Sequence, residues 1–327
     1  MRTDPSLRRL AGSFGVTRLA RLTGLDRCGV EVVAAVRPRG HVLQVSQGKG
    51  LTLEHAQWSA LGEAIELAAA ENPDVGTFEF GTGPVGSPWD VDGLCVAWVP
   101  ALRLRDDEPC LVPAQSVYCP PAGRCWLGPS ITTWRSNGLG AHPTSLAAAK
   151  EHAVLELLER DALARVLPEG WTPHEALRRL VKSPAGARAL DERGFACFLF
   201  DLTPRGMTLC VAGALIFDLE GGPVPLTAGY ACRRTWDAAA EAAWLEAAQS
   251  RLTEIHGARE DVLVGAREEG GALLRTLQGV TPRKAARRTE RRPLSKLVKG
   301  EVAIVQLRSS PFVVKAVSPD LLVSELL

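Results

Sequence analysis

Ser59-Ala-Leu-Gly-Glu63-Ala-Ile-Glu66 and Glu156-Leu-Leu-Glu159-Arg160-Asp161 are the two stretches on which the reading of this chain turns. In each, two glutamates stand three residues apart, so on a helix they share one face. Ala60, Leu61, Ile65 and Leu67 surround the first pair; Leu155, Leu157 and Leu158 crowd the second. Alone, the first pair reads equally well as a solvated stripe. The second pair tips the balance, because a carboxylate in apolar surroundings needs a partner or a metal. Carboxylates from two helices suit Mg²⁺, a hard cation that takes oxygen ligands and bridges phosphates. Arg160 beside them is a natural phosphate partner. The pattern implies a nucleotide site built without a glycine-rich phosphate loop. Di-iron chemistry is the rival for paired glutamate helices, but it wants Glu-x-x-His on two helices, and the chain has no such set.

Working outward, residues 30–36 and 42–46 read as a hairpin around Arg37-Pro-Arg-Gly40. Gly48-Lys49-Gly50 follows. It is either a turn with a solvated lysine or a backbone that approaches an anion, with Lys49 as a point charge. Thr52 is the expected N-cap of the first carboxylate helix, which stops before Asn72-Pro73. Residues 73–130 are rich in Gly and Pro, with short apolar pieces at 94–99 and 110–112. Gly81-Thr-Gly83-Pro-Val-Gly86 matches a dinucleotide fingerprint in spelling only, since Pro84, Pro88 and Trp89 prevent the helix that must open after it. Pro143 and Thr144 open a long helix to about Val166, helped by Ala147, Ala148 and Ala149. A helix near 173–182 and a turn at Ser183-Pro-Ala-Gly186 come next. Strands are expected at 195–201, 208–218 and 223–231, and a helix from about Trp236 to Glu254. Residues 265–300 look like a mobile, basic connection, and strands at 301–307 and 312–317 close the chain. The fold class is α/β of an irregular α+β kind, with mixed sheets and flanking helices and neither a P-loop nor a Rossmann motif. One domain spans 1–327, and no internal repeat is evident.

The composition excludes several function classes. Lys and Arg number 38 against 37 Asp and Glu, so no global field draws nucleic acid or an acidic membrane. No apolar run reaches the ~18 residues of a membrane span. The charged N-terminus has no apolar signal core, and the chain reads as cytosolic. Its eight cysteines include no CxxC pair and read as free thiols. Cys110, Cys119 and Cys125 lie close together in sequence but match no zinc spacing. Arg283, Lys284, Arg287, Arg288, Arg291 and Arg292 read as a solvated face, or as a dock for an acidic leader peptide or partner. Gln249-Ser250-Arg251-Leu-Thr253 and Gly257-Ala-Arg259 end a helix. Their arginines either clamp phosphates or complement the helix dipole.

Together these pieces resemble the YcaO family over nearly the whole chain. Phe14-Gly-Val-Thr-Arg18 and Thr23-Gly-Leu-Asp-Arg27 look like its N-terminal segment. Val45-Ser-Gln-Gly-Lys-Gly50 with the first glutamate pair looks like its first nucleotide motif. Ser136-Asn-Gly-Leu with Glu156-x-x-Glu159-Arg160-Asp161 looks like the second, and Ala247-Ala-Gln-Ser-Arg251-Leu-Thr with Gly257-Ala-Arg259 like the third. The resemblance implies ATP and Mg²⁺ as cofactors. It implies Glu63, Glu66, Glu156 and Glu159 at the metal, Arg160, Arg251 and Arg259 at the phosphates, and Lys49, Ser59, Ser136, Asn137 and Gln249 around the nucleotide. It also implies phosphorylation of a peptide amide oxygen. A neighbouring Cys, Ser or Thr would then close an azoline; sulfide would give a thioamide.

Departures from the family's pattern bear on that expectation. Ala148 stands where a glutamate is expected two turns before Glu156. Ala141-His142-Pro143-Thr144 replaces a Gly-Asn step. The end at Ser324-Glu-Leu-Leu327 carries no Pro-rich tail, and no ThiF-like domain is fused. The expected partners are a precursor peptide and a separate leader-binding (ThiF-like) or TfuA-like protein, with a homodimer as a further assembly. Azoline formation is the leading expectation, thioamide formation the alternative, and a non-catalytic scaffold the reading from another class.

Overall fold

Ala-rich runs and β-branched runs divide the chain into helices and strands that pack with little space between them. The structure, a computed structural model, describes residues 5–131, 136–257, 267–286 and 288–324. Helix α1 (Pro5–Ser13) leads into strands β1 (Arg18–Arg21), β2 (Glu31–Val36) and β3 (Val45–Gly50), and then helix α2 (Leu53–Ala70). Strands β4 (Glu79–Gly81), β5 (Val96–Arg103), β6 (Pro109–Pro113) and β7 (Asn137–His142) precede the long α3 (Leu146–Val166). Then come α4 (Pro173–Arg179), β8 (Leu180–Val181), the short α5 (Ala185–Arg188), β9 (Phe195–Asp201), β10 (Cys210–Asp218), β11 (Leu226–Arg233) and α6 (Trp236–His256). Helix α7 (Arg267–Gln278) and strands β12 (Ala303–Ser309) and β13 (Phe312–Val317) complete the chain.

The strands form three sheets, ordered β1-β2-β3, β11-β10-β9-β8 and β4-β5-β12-β13-β7, with β6 also on β5. Every ladder between these strands is antiparallel. The α+β class holds, and the mixture lies in the succession of helices and strands rather than in strand direction. Strand β2 is buried on both faces. Val32 and Ala34 join the core under α6, while Val33 and Ala35 join the core under α1 and α2. That explains its unbroken apolar run. Helix α3 ties the other two sheets together, packing with Phe200 and Val211 on one side and Val314 and Ala316 on the other.

Three differences from the sequence reading have physical causes. Strand β3 runs through Gly48-Lys49-Gly50, so this segment is a strand and not a turn. The helix expected to open at Pro143 begins after Ser145, whose side chain caps the Ala148 N–H. Residues 265–300, of which 267–286 and 288–300 are described, carry α7 and backbone links that include Lys182 N–H to the Arg283 carbonyl (2.9 Å) and Glu290 N–H to the Arg234 carbonyl (2.8 Å). Few apolar residues suffice there, because Leu273 and Leu277 share a helix face and are buried in the α3 core. Among the described residues no helix is long and apolar enough to cross a membrane.

Candidate active site

Three strand–helix units frame one cleft: β3–α2, β7–α3 and β11–α6. Each strand is the terminal strand of its own sheet. Each helix starts from a hydroxyl N-cap, Thr52, Ser145 and Thr235 in turn. Glycine lets each helix lie directly on its strand. A Cβ on Gly48 would overlap the Ala60 backbone, one on Gly138 the Ala153 carbonyl, and one on Gly229 the Ala247 amide. These glycines serve helix packing, and the segment holding Gly48 is no anion-binding turn.

In all three units a glutamate follows the N-cap by eleven residues: Glu63, Glu156 and Glu246. Three residues later stand Glu66, Glu159 and Gln249. All six line a cleft of about 540 Å³. The terminal strands present unpaired amides to it, and the carboxylates take them. Gln47 N–H donates to Glu63 (2.9 Å), Ala141 N–H to Glu66 (2.7 Å), Leu139 N–H to Glu156 (2.6 Å) and Cys232 N–H to Glu159 (2.7 Å). A carboxylate has about four acceptor sites, so an amide bond, joined at Glu156 by Arg160, still leaves acceptor sites for a cation.

The electrostatics call for such a cation. Burial, with the charges of Glu156 and Glu63, pushes Glu66 up to about 8. Burial, with the charge of Glu246, pushes Glu159 up to about 8. Several hard oxygen donors that repel one another suit Mg²⁺. Among the described residues no three His, Cys, Asp or Glu side chains close into a ready ligand cluster; the strand amides hold the carboxylates in place. Two buried polar atoms at the cleft, Gln47 Nε2 and Gln249 Oε1, have no hydrogen-bond partner, as befits a site that a polar ligand completes.

The predicted site residues divide into three groups. Glu63, Glu66, Glu156, Glu159, Arg160, Lys49, Ser59 and Gln249 all line the cleft. Arg160 is held by Glu156 (2.7 Å) and by the carbonyl and Oδ1 of Asn137 (3.0 and 3.2 Å), so Asn137 steadies the arginine. Lys49 pairs with Glu246 (2.8 Å) across the cleft. Ser136 does not reach the site: it is buried and donates to the Leu157 carbonyl (3.0 Å) beneath α3. Arg251 is also elsewhere. It is wholly buried between Asp26 and Asp218 (2.8 Å each), bonded to the Val224 carbonyl and lying over the Phe195 ring. Five residues past Glu246 is a turn of about 140° round the helix, which takes it off the cleft face. Arg259 lies outside the described residues.

Sequence reasoning missed Gln47, Trp58, His152, Tyr230, Arg233 and Glu246, all of which line the cleft. His152 stands one turn before Glu156, on the face where Ala148 replaces the expected glutamate. Its burial lowers its pKa. Glu246 was detectable, because its distance from Thr235 repeats that of Glu63 from Thr52 and of Glu156 from Ser145.

The family described as YcaO cyclodehydratase, ATP- and Mg²⁺-binding, matches residues 84–302. An uncharacterized protein of Methanothermobacter thermautotrophicus is 32% identical over 284 residues, covering 76% of this chain and 69% of the relative. An uncharacterized protein in the tfuA 3′ region of Rhizobium leguminosarum bv. trifolii is 30% identical over 277 residues, covering 76% of this chain and 64% of that one. Among solved structures, YcaO from Methanopyrus kandleri bound with AMPPCP and Mg²⁺ aligns with a TM-score of 0.71 at 24% identity, over 96% of this chain and 89% of that one. The E. coli microcin synthetase McbBCD complex aligns at 0.65 and 16% identity, over 93% of this chain and 88% of the other. At these identities the structural likeness is one of fold. By the family match and these relatives, the chain belongs to the YcaO family, described as ATP- and Mg²⁺-binding.

Proposed function

We propose that this chain activates a backbone amide of a ribosomally made peptide so that a neighbouring Cys, Ser or Thr closes an azoline ring. When bound, ATP phosphorylates the amide oxygen and releases ADP; the side chain adds to the amide carbon, its proton and the amide proton leave, and phosphate departs with the original oxygen. The observation that carries this reading is the cleft in which carboxylates from three helices stand together with Arg160 and Lys49. Most of phosphoryl transfer is positioning and charge neutralisation. Here Glu63, Glu66, Glu156 and Glu159 supply oxygen ligands for Mg²⁺, joined by Glu246. Arg160 and Lys49 oppose the phosphates, and the unpaired Gln47 and Gln249 atoms meet polar atoms of the nucleotide. Ser59 sits on the wall. A separate leader-binding (ThiF-like) protein presents the precursor peptide.

One observation favours a second product. The rhizobial relative is named for the tfuA region, which supports thioamide formation with a TfuA-like partner and sulfide as nucleophile. Incubation with ATP, Mg²⁺, a candidate precursor and its partner distinguishes the readings. Phosphate release with loss of one water from the peptide supports the azoline. Exchange of oxygen for sulfur supports the thioamide. No peptide-dependent phosphate release would leave the scaffold reading.

A further inference from the structure

The opposite end of the three-stranded sheet carries a second surface, formed by strand β1. Strand β1 pairs with β2 only, and its other edge meets no strand among the described residues. A cavity of about 350 Å³ lies against it, lined by Arg8, Ala11, Val16, Thr17, Arg18 and Leu19. Side chains of consecutive strand residues point to opposite faces. Arg18 and Leu19 therefore reach the cavity from opposite faces, so it lies along the edge at the start of the strand, between α1 (Arg8, Ala11) and the link that Val16 and Thr17 form. Leu22 N–H bonds the Val32 carbonyl (2.8 Å), and hydrogen-bonding direction alternates along an antiparallel strand. Leu19 and Arg21 accordingly turn their amides and carbonyls to the open side.

The charge of this edge has one sign. Residues 5–21 contain Arg8, Arg9, Arg18 and Arg21 and no carboxylate. Arg21 is engaged by Glu31. Arg8 and Arg18 are exposed, border the cavity, and make no ion pair or hydrogen bond with any described residue. The alanine and valine between them give the groove an apolar floor. Open backbone groups, an apolar floor and two unpaired cations are the parts needed to seat an extended chain by strand addition, with pockets reading alternate side chains.

We propose that the β1 edge docks an extended acidic segment of a partner polypeptide, which adds as a fourth strand and sets carboxylates against Arg8 and Arg18. Cations on an edge strand also guard it against unwanted pairing, and charge complementarity then selects an acidic strand over others. The inference does not depend on how the cleft uses ATP.

Fluorescence anisotropy tests it on the full chain with four labelled probes: an eight-residue peptide of alternating Glu and Val, its Lys-for-Glu counterpart, the Glu peptide with alternate backbone nitrogens methylated, and a single-stranded oligonucleotide. The Glu–Val peptide should bind, and Arg8→Glu with Arg18→Glu should weaken it at least tenfold while circular dichroism stays unchanged. Both arginines are exposed, so these variants fold. The methylated peptide, which keeps its charge but cannot pair as a strand, should bind at least tenfold more weakly. Absence of binding by the wild-type chain overturns the proposal. So does binding indifferent to the arginines or to methylation, or tighter binding of the Lys peptide or the oligonucleotide.

Discussion

At Glu66 and Glu159 burial and like charge act together, holding both carboxyls near 8 instead of the ordinary 4.5. Between those values the folded protein retains protons that the unfolded chain has released. Stability of the metal-free protein therefore falls as pH rises through that window. The melting temperature should be lower at pH 8 than at pH 6, and Glu66→Gln should flatten the slope. Mg²⁺ binding should release protons and raise the melting temperature more at pH 8 than at pH 6. Scanning calorimetry across this range checks all three, and a slope untouched by Glu66→Gln and Glu159→Gln would count against the protonated pair. Arg251 tests the opposite assignment. Arg251→Ala leaves buried Asp26 without its guanidinium and Asp218 with Arg27 alone, a change that costs about 3–5 kcal/mol. Urea unfolding should show that loss, with ATP affinity of the folded fraction unchanged. Weakened ATP binding at normal stability would return Arg251 to the phosphates. The residue types of both sites were legible in the sequence. What separates them is helix phase, and the Asp26 and Asp218 partners lie more than thirty residues away along the chain.

At the scale of elements, the glycines in the strands set how closely the helices approach. Gly138→Ala would drive a methyl into the Ala153 carbonyl, lifting α3 from β7 and moving Glu156 off the Leu139 amide. Overpacking of this kind costs about 1–3 kcal/mol, and nucleotide affinity should fall with stability. Gly12→Ala, with open space around its Cβ, is the control that should leave binding intact. Most elements were readable from period and caps: the Thr52 cap, the strands at 195–201 and 312–317, and the end of α6 at Gly257, whose φ is 62°. The repeat of strand, hydroxyl cap and glutamate eleven residues on was not read, because the three copies share only spacing and a few residue types. The spelling around Glu156-x-x-Glu159 and Glu246-x-x-Gln249 differs enough to hide it.

Over the whole molecule, three antiparallel sheets meet edge-on at the cleft, and carboxylates from α2 and α3 occupy amides that would otherwise be open to strand pairing. This joins fold to chemistry: the groups that close the sheet edges are the ones placed to hold a cation. No pattern within one strand reveals which edge it will face, so the convergence of β3, β7 and β11 was beyond sequence reasoning, although eight of the residues named from the resemblance line the cleft and Ser136 and Arg251 do not. The most direct test is calorimetric titration with ATP, with and without Mg²⁺, of the wild-type chain beside Glu66→Ala and Glu159→Ala. The account predicts Mg²⁺-dependent binding that weakens at least tenfold, about 1.4 kcal/mol, in both folded variants. Binding to the wild-type chain that persists unchanged in both variants, or needs no Mg²⁺, would contradict it.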